Sequence, residues 1–205
     1  EQKADILPKM ANGTEVWAQG WSEPNAGSDM AAIRSKAELT ADGEYYIING
    51  QKTWSTRAVW ADQCFGMFRT DPDSTRHKGL TFILVPLNLD GVTVRPIPQL
   101  DGLPGFAEIF FDNVKVPVNR RLGGEGEGWS VAMATAGFER GLMLRSPARF
   151  QETAKRLVEL YQENRQRADR DPAIRDAVIK AYLDAEAYCL TTYQTACRLI
   201  KGGKI

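Results

Sequence analysis

From about residue 15 to 118 the chain alternates apolar and polar positions with a period of two, and on either side the spacing lengthens to that of a helix. Residues 2–10 read as a helix, with Ile6, Leu7 and Met10 on one face and Asn12-Gly13 as its stop. Inside the period-two region, Asp42-Gly43 and Asn49-Gly50 lie between runs rich in Ile, Tyr, Thr and Trp, the strongest short-range hairpin signal. They predict strands over 35–40, 44–48 and 51–55. Further runs at 63–69, 81–86, 92–97 and 108–114 are separated by Asp71-Pro72, Asp90-Gly91 and Gly102-Leu-Pro-Gly105. Short strands with regular turn punctuation predict an antiparallel β-barrel or sandwich. Strands do not alternate with helices, which excludes a doubly wound Rossmann sheet.

Past Pro117 the pattern turns helical. A glycine-rich stretch over 123–128 leads into a predicted helix over 129–144, with Val131, Ala132, Ala136 and Leu142 spaced for burial. Phe150, Ala154, Leu157 and Tyr161 mark a second helix. Asp171 followed by Pro172 supplies the side-chain cap and first-turn proline of a third, which Ile174, Val178, Ala181, Tyr182, Ala185 and Cys189 continue towards Ile200. The class is therefore α+β, an antiparallel barrel or sandwich flanked by helical-bundle segments. These helices carry apolar stripes that need partners to cover them. With no initiating Met and an end on Lys201-Gly-Gly-Lys-Ile205, the 205 residues are expected to be an internal piece of a longer protein.

Composition narrows the function. Hydrophobic content of 43% and charged content of 25% are those of an ordinary globular protein, and the formal net charge is zero. Arg165, Arg167, Arg170 and Arg175 are interleaved with Asp169, Asp171 and Asp176, so no basic cluster offers nucleic acid a footprint. Cys64, Cys189 and Cys197 form no CxxC pair and are odd in number, which argues against a disulfide framework and against a metal site. Cys189 and Cys197, eight apart, are expected to face one apolar side as small hydrophobes. The single histidine, His77, lies in the polar run 71–78 and reads as a loop residue, which removes Ser-His and Cys-His chemistry. No apolar run approaches the ~20 residues of a membrane span and no signal segment opens the chain, so no membrane partner is expected and a cytoplasmic location is the default.

Two stretches carry candidate chemistry. In Gln19-Gly-Trp-Ser-Glu-Pro-Asn-Ala-Gly-Ser-Asp29, Pro24 fixes φ and Gly27 permits a positive one, so the backbone bends sharply and its polar groups point outward rather than into a ladder. Asn49-Gly-Gln-Lys-Thr-Trp-Ser-Thr56 again joins a tryptophan to hydroxyls. Read without any relative, the first is as well explained by a surface turn with a buried Trp, and Trp54 by a core position after a hairpin. Together, and followed by Phe110-Phe-Asp-Asn-Val-Lys-Val-Pro117 and Gly124-Glu-Gly-Glu-Gly-Trp129, they resemble the middle domain of the acyl-CoA dehydrogenases. In that family a Thr/Ser-Glu-Pro-x-Ala-Gly-Ser-Asp loop and an Asn-Gly-x-Lys-x-Trp-x-Thr strand hold FAD. The resemblance divides the chain into the end of an N-terminal helical domain (1–14), an FAD-binding β domain (15–122) and the start of a C-terminal bundle (123–205).

The resemblance also implies a reaction. A carboxylate removes the α proton of an acyl-CoA thioester while a hydride leaves the β carbon for flavin N5, and electrons pass on to an acceptor of the electron-transfer flavoprotein type. Carried over by position, Ser22 and Thr56 are the hydroxyls at the reducible edge of the flavin and Trp54 the indole against its ring. Gln19, Trp21 and Ser55 complete the cofactor contacts, and Ser28 falls on the CoA side of the substrate. Phe138-Glu139-Arg140 occupies the position where the isovaleryl and long-chain types place their base, which makes Glu139 the catalytic candidate and Arg140 its substrate-side neighbour. In one respect the chain departs from the family. The Arg-x-x-Phe-Gly stretch that reaches the FAD of a neighbouring subunit is replaced by Glu163-Asn-Arg-Gln-Arg-Ala-Asp-Arg-Asp-Pro172, with Arg165 and Arg167 as the available arginines. A homo- or hetero-oligomer is implied. Two alternatives stay open, a flavin oxidase or monooxygenase on the same scaffold and a non-catalytic partner subunit.

Overall fold

The computed structural model describes residues 2–142 and 146–202, and for 139–142 the backbone alone. The chain forms two compact units that divide between Thr135 and Ala136.

The first unit opens with helix α1 (Gln2–Asn12), whose Ile6 is buried. Strands β1 (Trp17–Gly20), β2 (Lys36–Leu39), β3 (Tyr45–Thr56), β4 (Gln63–Arg69), β5 (Leu80–Pro86), β6 (Val92–Ile97), β7 (Phe106–Pro117) and β8 (Arg121–Leu122) follow, and helix α2 (Gly128–Leu142) begins after the glycine-rich stretch. Seven of the strands run in the order β6-β7-β3-β2-β4-β5-β8, and β1 pairs with β4 off this path. One core gathers Tyr46, Ile48, Phe68, Val85, Ile109 and Val114, and a second gathers Trp21, Ile33, Met67, Leu80, Phe82 and Ala132. β5 sits between them, which is why its run Leu80 to Val85 is buried without alternation.

The α+β class stands, and the structure adds detail the period could not supply. Most pairings are antiparallel, but β1 and β2 both meet β4 in parallel. After β3 the connection through the 3-10 turn Ala58–Trp60 crosses to the far side of β2 instead of closing a hairpin, so β4 runs in the direction of β2. Asp42-Gly43 does turn the β2–β3 hairpin, with Gly43 at φ 73°. Asn49-Gly50 does not turn a hairpin. It is a bulge inside one continuous strand, where pairing with β7 resumes after a register shift between Ile48 and Gly50. The side chain of Asn49 bridges to β7, accepting from Asn113 N at 2.8 Å and donating to Asn113 Oδ1 at 3.2 Å, which holds both strands across the irregularity. Gly50 is required there, because at φ 146° a Cβ would lie 2.3 Å from Ser35 Oγ.

In the second unit, helix α3 (Pro147–Glu163) packs along helix α5 (Pro172–Ile200), with the short helix α4 (Arg165–Ala168) between them in sequence. Phe150 meets Tyr188 edge-on at 5.0 Å, and Gln151 Nε2 donates to Glu186 Oε1 at 3.0 Å. Asp171 caps α5 as expected, accepting from Ala173 N at 2.9 Å. Cys189 is buried, but Cys197 is exposed, contrary to the expectation of a shared face. Eight residues at 3.6 per turn rotate the second cysteine by about 80° relative to the first. Leu183, Leu190 and Tyr193 form part of an apolar row that is exposed.

Candidate functional site

The two stretches picked out in the sequence meet at the edge of the first unit's second core. β1 can run close to β4 because position 20 is glycine: a Cβ there would lie 2.5 Å from Cys64 Sγ. Beyond Gly20 the chain is fastened to β3 by a hydrogen bond from Thr53 N to Ser22 O at 2.9 Å. Glu23 and Ala26 then exchange backbone hydrogen bonds in both directions at 3.0 Å, which closes the Pro24-Asn25 turn. β3 has a second irregularity between Lys52 and Ser55, and Trp54 within it adopts φ 58°. For a bulky non-glycine residue that conformation stores strain of about 1–3 kcal/mol and persists only where its surroundings enforce it. The result is an exposed indole. Trp54 is 60% accessible, touches Phe106 edge-on at 6.0 Å, and borders a cleft of about 610 Å³ lined also by Ile97, Pro98, Leu100 and Asp101.

Beneath this surface lies a charged group that the sequence reading passed over. Lys52 is fully buried, and its ammonium donates to Met67 O at 2.7 Å, to Glu23 Oε1 at 2.8 Å and to Trp21 O at 3.4 Å. Glu23 in turn accepts from Ser35 N at 2.9 Å and from Arg34 N at 2.6 Å. The face of Phe68 lies 5.0 Å from the ammonium. Burial pushes Lys52 below the ordinary lysine range, and Glu23 partly offsets this. Burial alone would raise Glu23, but Lys52 and the amide donors outweigh it and hold the carboxyl below its usual range. Beside the pair, burial pushes the Cys64 thiol up to about 12, so it stays neutral.

The lowered Glu23 has a testable consequence. Its folded-state value lies below its unfolded one, so on acidification the unfolded chain takes up the proton first. The stability contributed is complete above the unfolded carboxylate value of roughly 4.3 and is lost as pH falls through the folded value. Denaturant unfolding at a series of acid pH values should therefore show a falling limb that is flatter in the Lys52→Met/Glu23→Gln double variant. The same slope in both proteins would acquit Glu23.

The residues predicted from sequence divide into groups. Gln19, Trp54 and Thr56 are exposed and Ser22 is half-buried; Gln19 lies on β1, Ser22 just past its end, and Trp54 and Thr56 on β3, which Thr53 N ties to Ser22 O. The hydroxyls of Ser22 and Thr56 have no hydrogen-bond partner among the described residues, so both are available to a ligand. The core reading of Trp54 does not hold. Trp21 and Ser55 are buried, Trp21 edge-on to Phe65 and Phe82 at 6.3 and 6.1 Å, which leaves their side chains almost no surface for a ligand to cover. Trp21 Nε1 and Ser55 Oγ are buried without a partner among the described residues. Ser28 is exposed beside Asp29, which pairs with Arg76 at 3.2 Å. Glu139 and Arg140 lie in helix α2, but their side chains fall outside the described residues. A signal for Lys52 was present in the sequence, since Tyr46 and Ile48 point inward and the same parity continues to Lys52. A planar heteroaromatic group with acceptors along one edge suits this donor set: an exposed indole and a free hydroxyl on β3, with a second free hydroxyl on the segment tied to it.

Among the described residues no helix is long and apolar enough to cross a membrane. A family model described as the acyl-CoA dehydrogenase middle domain matches residues 18–114. Acyl-CoA dehydrogenase IpdE1 of Mycolicibacterium smegmatis is 43% identical over 204 residues, covering 94% of this chain and 52% of that protein. The solved Tcur3481-Tcur3483 steroid ACAD superposes with a TM-score of 0.87 at 27% identity, covering all of this chain and 52% of that one. The ChsE4-ChsE5 complex from Mycobacterium tuberculosis gives a TM-score of 0.82 at 29% identity over 97% of this chain and 51% of that one. The chain thus spans about half the length of the relatives it matches. With two motifs in order, the middle-domain match and this likeness along nearly its whole length, the chain belongs to the acyl-CoA dehydrogenase family.

Proposed function

We propose that the protein is an FAD-dependent dehydrogenase that introduces a double bond between the α and β carbons of an acyl-CoA thioester, with residues 15–122 as its cofactor-binding domain, 1–14 ending a preceding helical domain and 123–205 opening a helical bundle. The observation that carries this reading is Trp54, a strained and exposed indole next to Thr53, whose amide bonds the carbonyl of Ser22 with its free hydroxyl. FAD, when bound, supplies the hydride acceptor. Ser22 and Thr56 would donate hydrogen bonds to its reducible edge, Trp54 would cover the ring and keep water out, and Gln19 would contact it from β1. Trp21 and Ser55 serve from beneath, through packing and backbone. Ser28 and Arg140 would meet the CoA thioester, and Glu139 would take the α proton, its basicity raised by desolvation under the substrate. An acceptor of the electron-transfer flavoprotein type reoxidises the enzyme in this reading.

Ser22→Ala in the full-length protein tests it. Flavin reduction by acyl-CoA should slow by about 1–2 kcal/mol in barrier, the worth of one hydrogen bond in a dry site, while FAD retention changes less. An unchanged reduction rate in stopped flow would sink the assignment of Ser22. A second reading, a subunit whose oligomeric partner completes or replaces its site, is favoured by the lack of an Arg-x-x-Phe-Gly stretch and by likeness to the ChsE4-ChsE5 complex. The visible flavin band separates the two readings. A purified homo-oligomer that carries the band and is bleached by acyl-CoA without oxygen consumption is the dehydrogenase, whereas a colourless protein is the partner subunit.

A further inference from the structure

We infer that the buried Lys52–Glu23 pair is a lock that presets the Ser22 segment and the Trp54 bulge for their ligand, acting as positioning residues rather than as a source of stability. The inference rests on the cofactor reading above. A buried ion pair is a poor stabiliser: exchanging both partners for uncharged residues of similar volume is often neutral or favourable, so its presence calls for another explanation. The bonds it makes supply one. Lys52 ties the carbonyl of Trp21 to that of Met67 on β4, and Glu23 ties the end of the same segment to the amides of Arg34 and Ser35. Ser22 lies between the two anchored residues, and its own carbonyl is held by Thr53. The peptide plane before Ser22 is therefore held by Lys52 through the Trp21 carbonyl, and the one after it by Thr53 and Ala26 next to the residue whose carboxylate the pair fixes, while the Ser22 hydroxyl stays free. Lys52 is also the last paired residue before the register shift that turns Trp54 outward, so one ammonium anchors both proposed ligand contacts.

The Lys52→Met/Glu23→Gln double variant of the full-length protein separates positioning from stability. Its thermal midpoint as apoprotein should stay close to that of the wild type. The amides of Ala26 and Thr53 bond to neither replaced side chain, and their hydrogen exchange should accelerate about tenfold while the β6–β7 pair is unaffected. Binding of FAD itself, titrated by quenching of its fluorescence, should weaken by about tenfold, as expected when a site must be ordered on binding. Unchanged exchange, or faster exchange with unchanged FAD affinity, overturns the proposal. If the double variant fails to fold, Glu23→Gln alone, which keeps an oxygen to accept from Ser35, is measured against the same criteria. Wild-type protein that takes up no FAD defeats the cofactor reading instead, and exchange at Ala26 and Thr53 then decides the lock by itself.

Discussion

Glu139→Gln in the full-length protein is expected to bind acyl-CoA normally and to reduce its flavin at least ~10²-fold more slowly, the usual loss when a positioned general base is removed. The substitution keeps volume and hydrogen-bonding capacity and takes away only basicity, so a fall in rate without a fall in binding is specific to proton abstraction. Single-turnover bleaching of the flavin measures the rate, and titration in the absence of turnover measures the binding. Arg140→Lys should behave differently, weakening the site through lost geometry, because a point charge does not replace a planar fork of donors. A normal reduction rate in Glu139→Gln would place the base elsewhere in the protein and leave Glu139 as a structural partner of Arg140.

The second large effect is on stability. Lys52→Met alone should destabilise the protein by about 3–5 kcal/mol, since it leaves the Glu23 carboxylate buried without its counter-charge. Replacing Glu23 with Gln in the same protein should restore most of that loss, even though two polar partners are now gone instead of one. Denaturant midpoints of the two single variants, the double variant and the wild type complete the cycle. Additive losses would mean that the two groups do not act as a pair. Together with the exchange measurements, this would show a charge pair whose removal is tolerated thermodynamically and felt at the ligand site.

The candidate site was read from a resemblance rather than from residue types. The Ser-Glu-Pro stretch signals a sharp turn by itself, but without the family pattern that turn and the Asn-Gly-x-Lys-x-Trp strand are as well explained by ordinary packing. The β2–β3 hairpin at Asp42-Gly43 was legible from its local residues. Asn49-Gly50 carries the same local signature and forms a bulge instead. What separates the two sites is a partner: β7 continues past Asn49, and Asn113 takes up its side chain. A dipeptide signal cannot reveal a strand more than fifty residues away.

The sequence by itself determined the α+β class, the strand and helix periods, the Asp171 cap and the two motifs, because each depends on contacts within a few residues along the chain. Tertiary structure alone decided the rest. Which strands run parallel depended on the crossing taken after β3, and Trp54, as apolar as Trp21, became exposed because a register shift turned it outward while Trp21 was enclosed by Phe65 and Phe82. The inward parity of β3 hinted at Lys52, but nothing in the sequence tied it to Glu23, 29 positions away, until the fold removed both from water. From then on the cost of burying either charge alone binds them together, and desolvation is a property of the packed interior that no local pattern of residues carries.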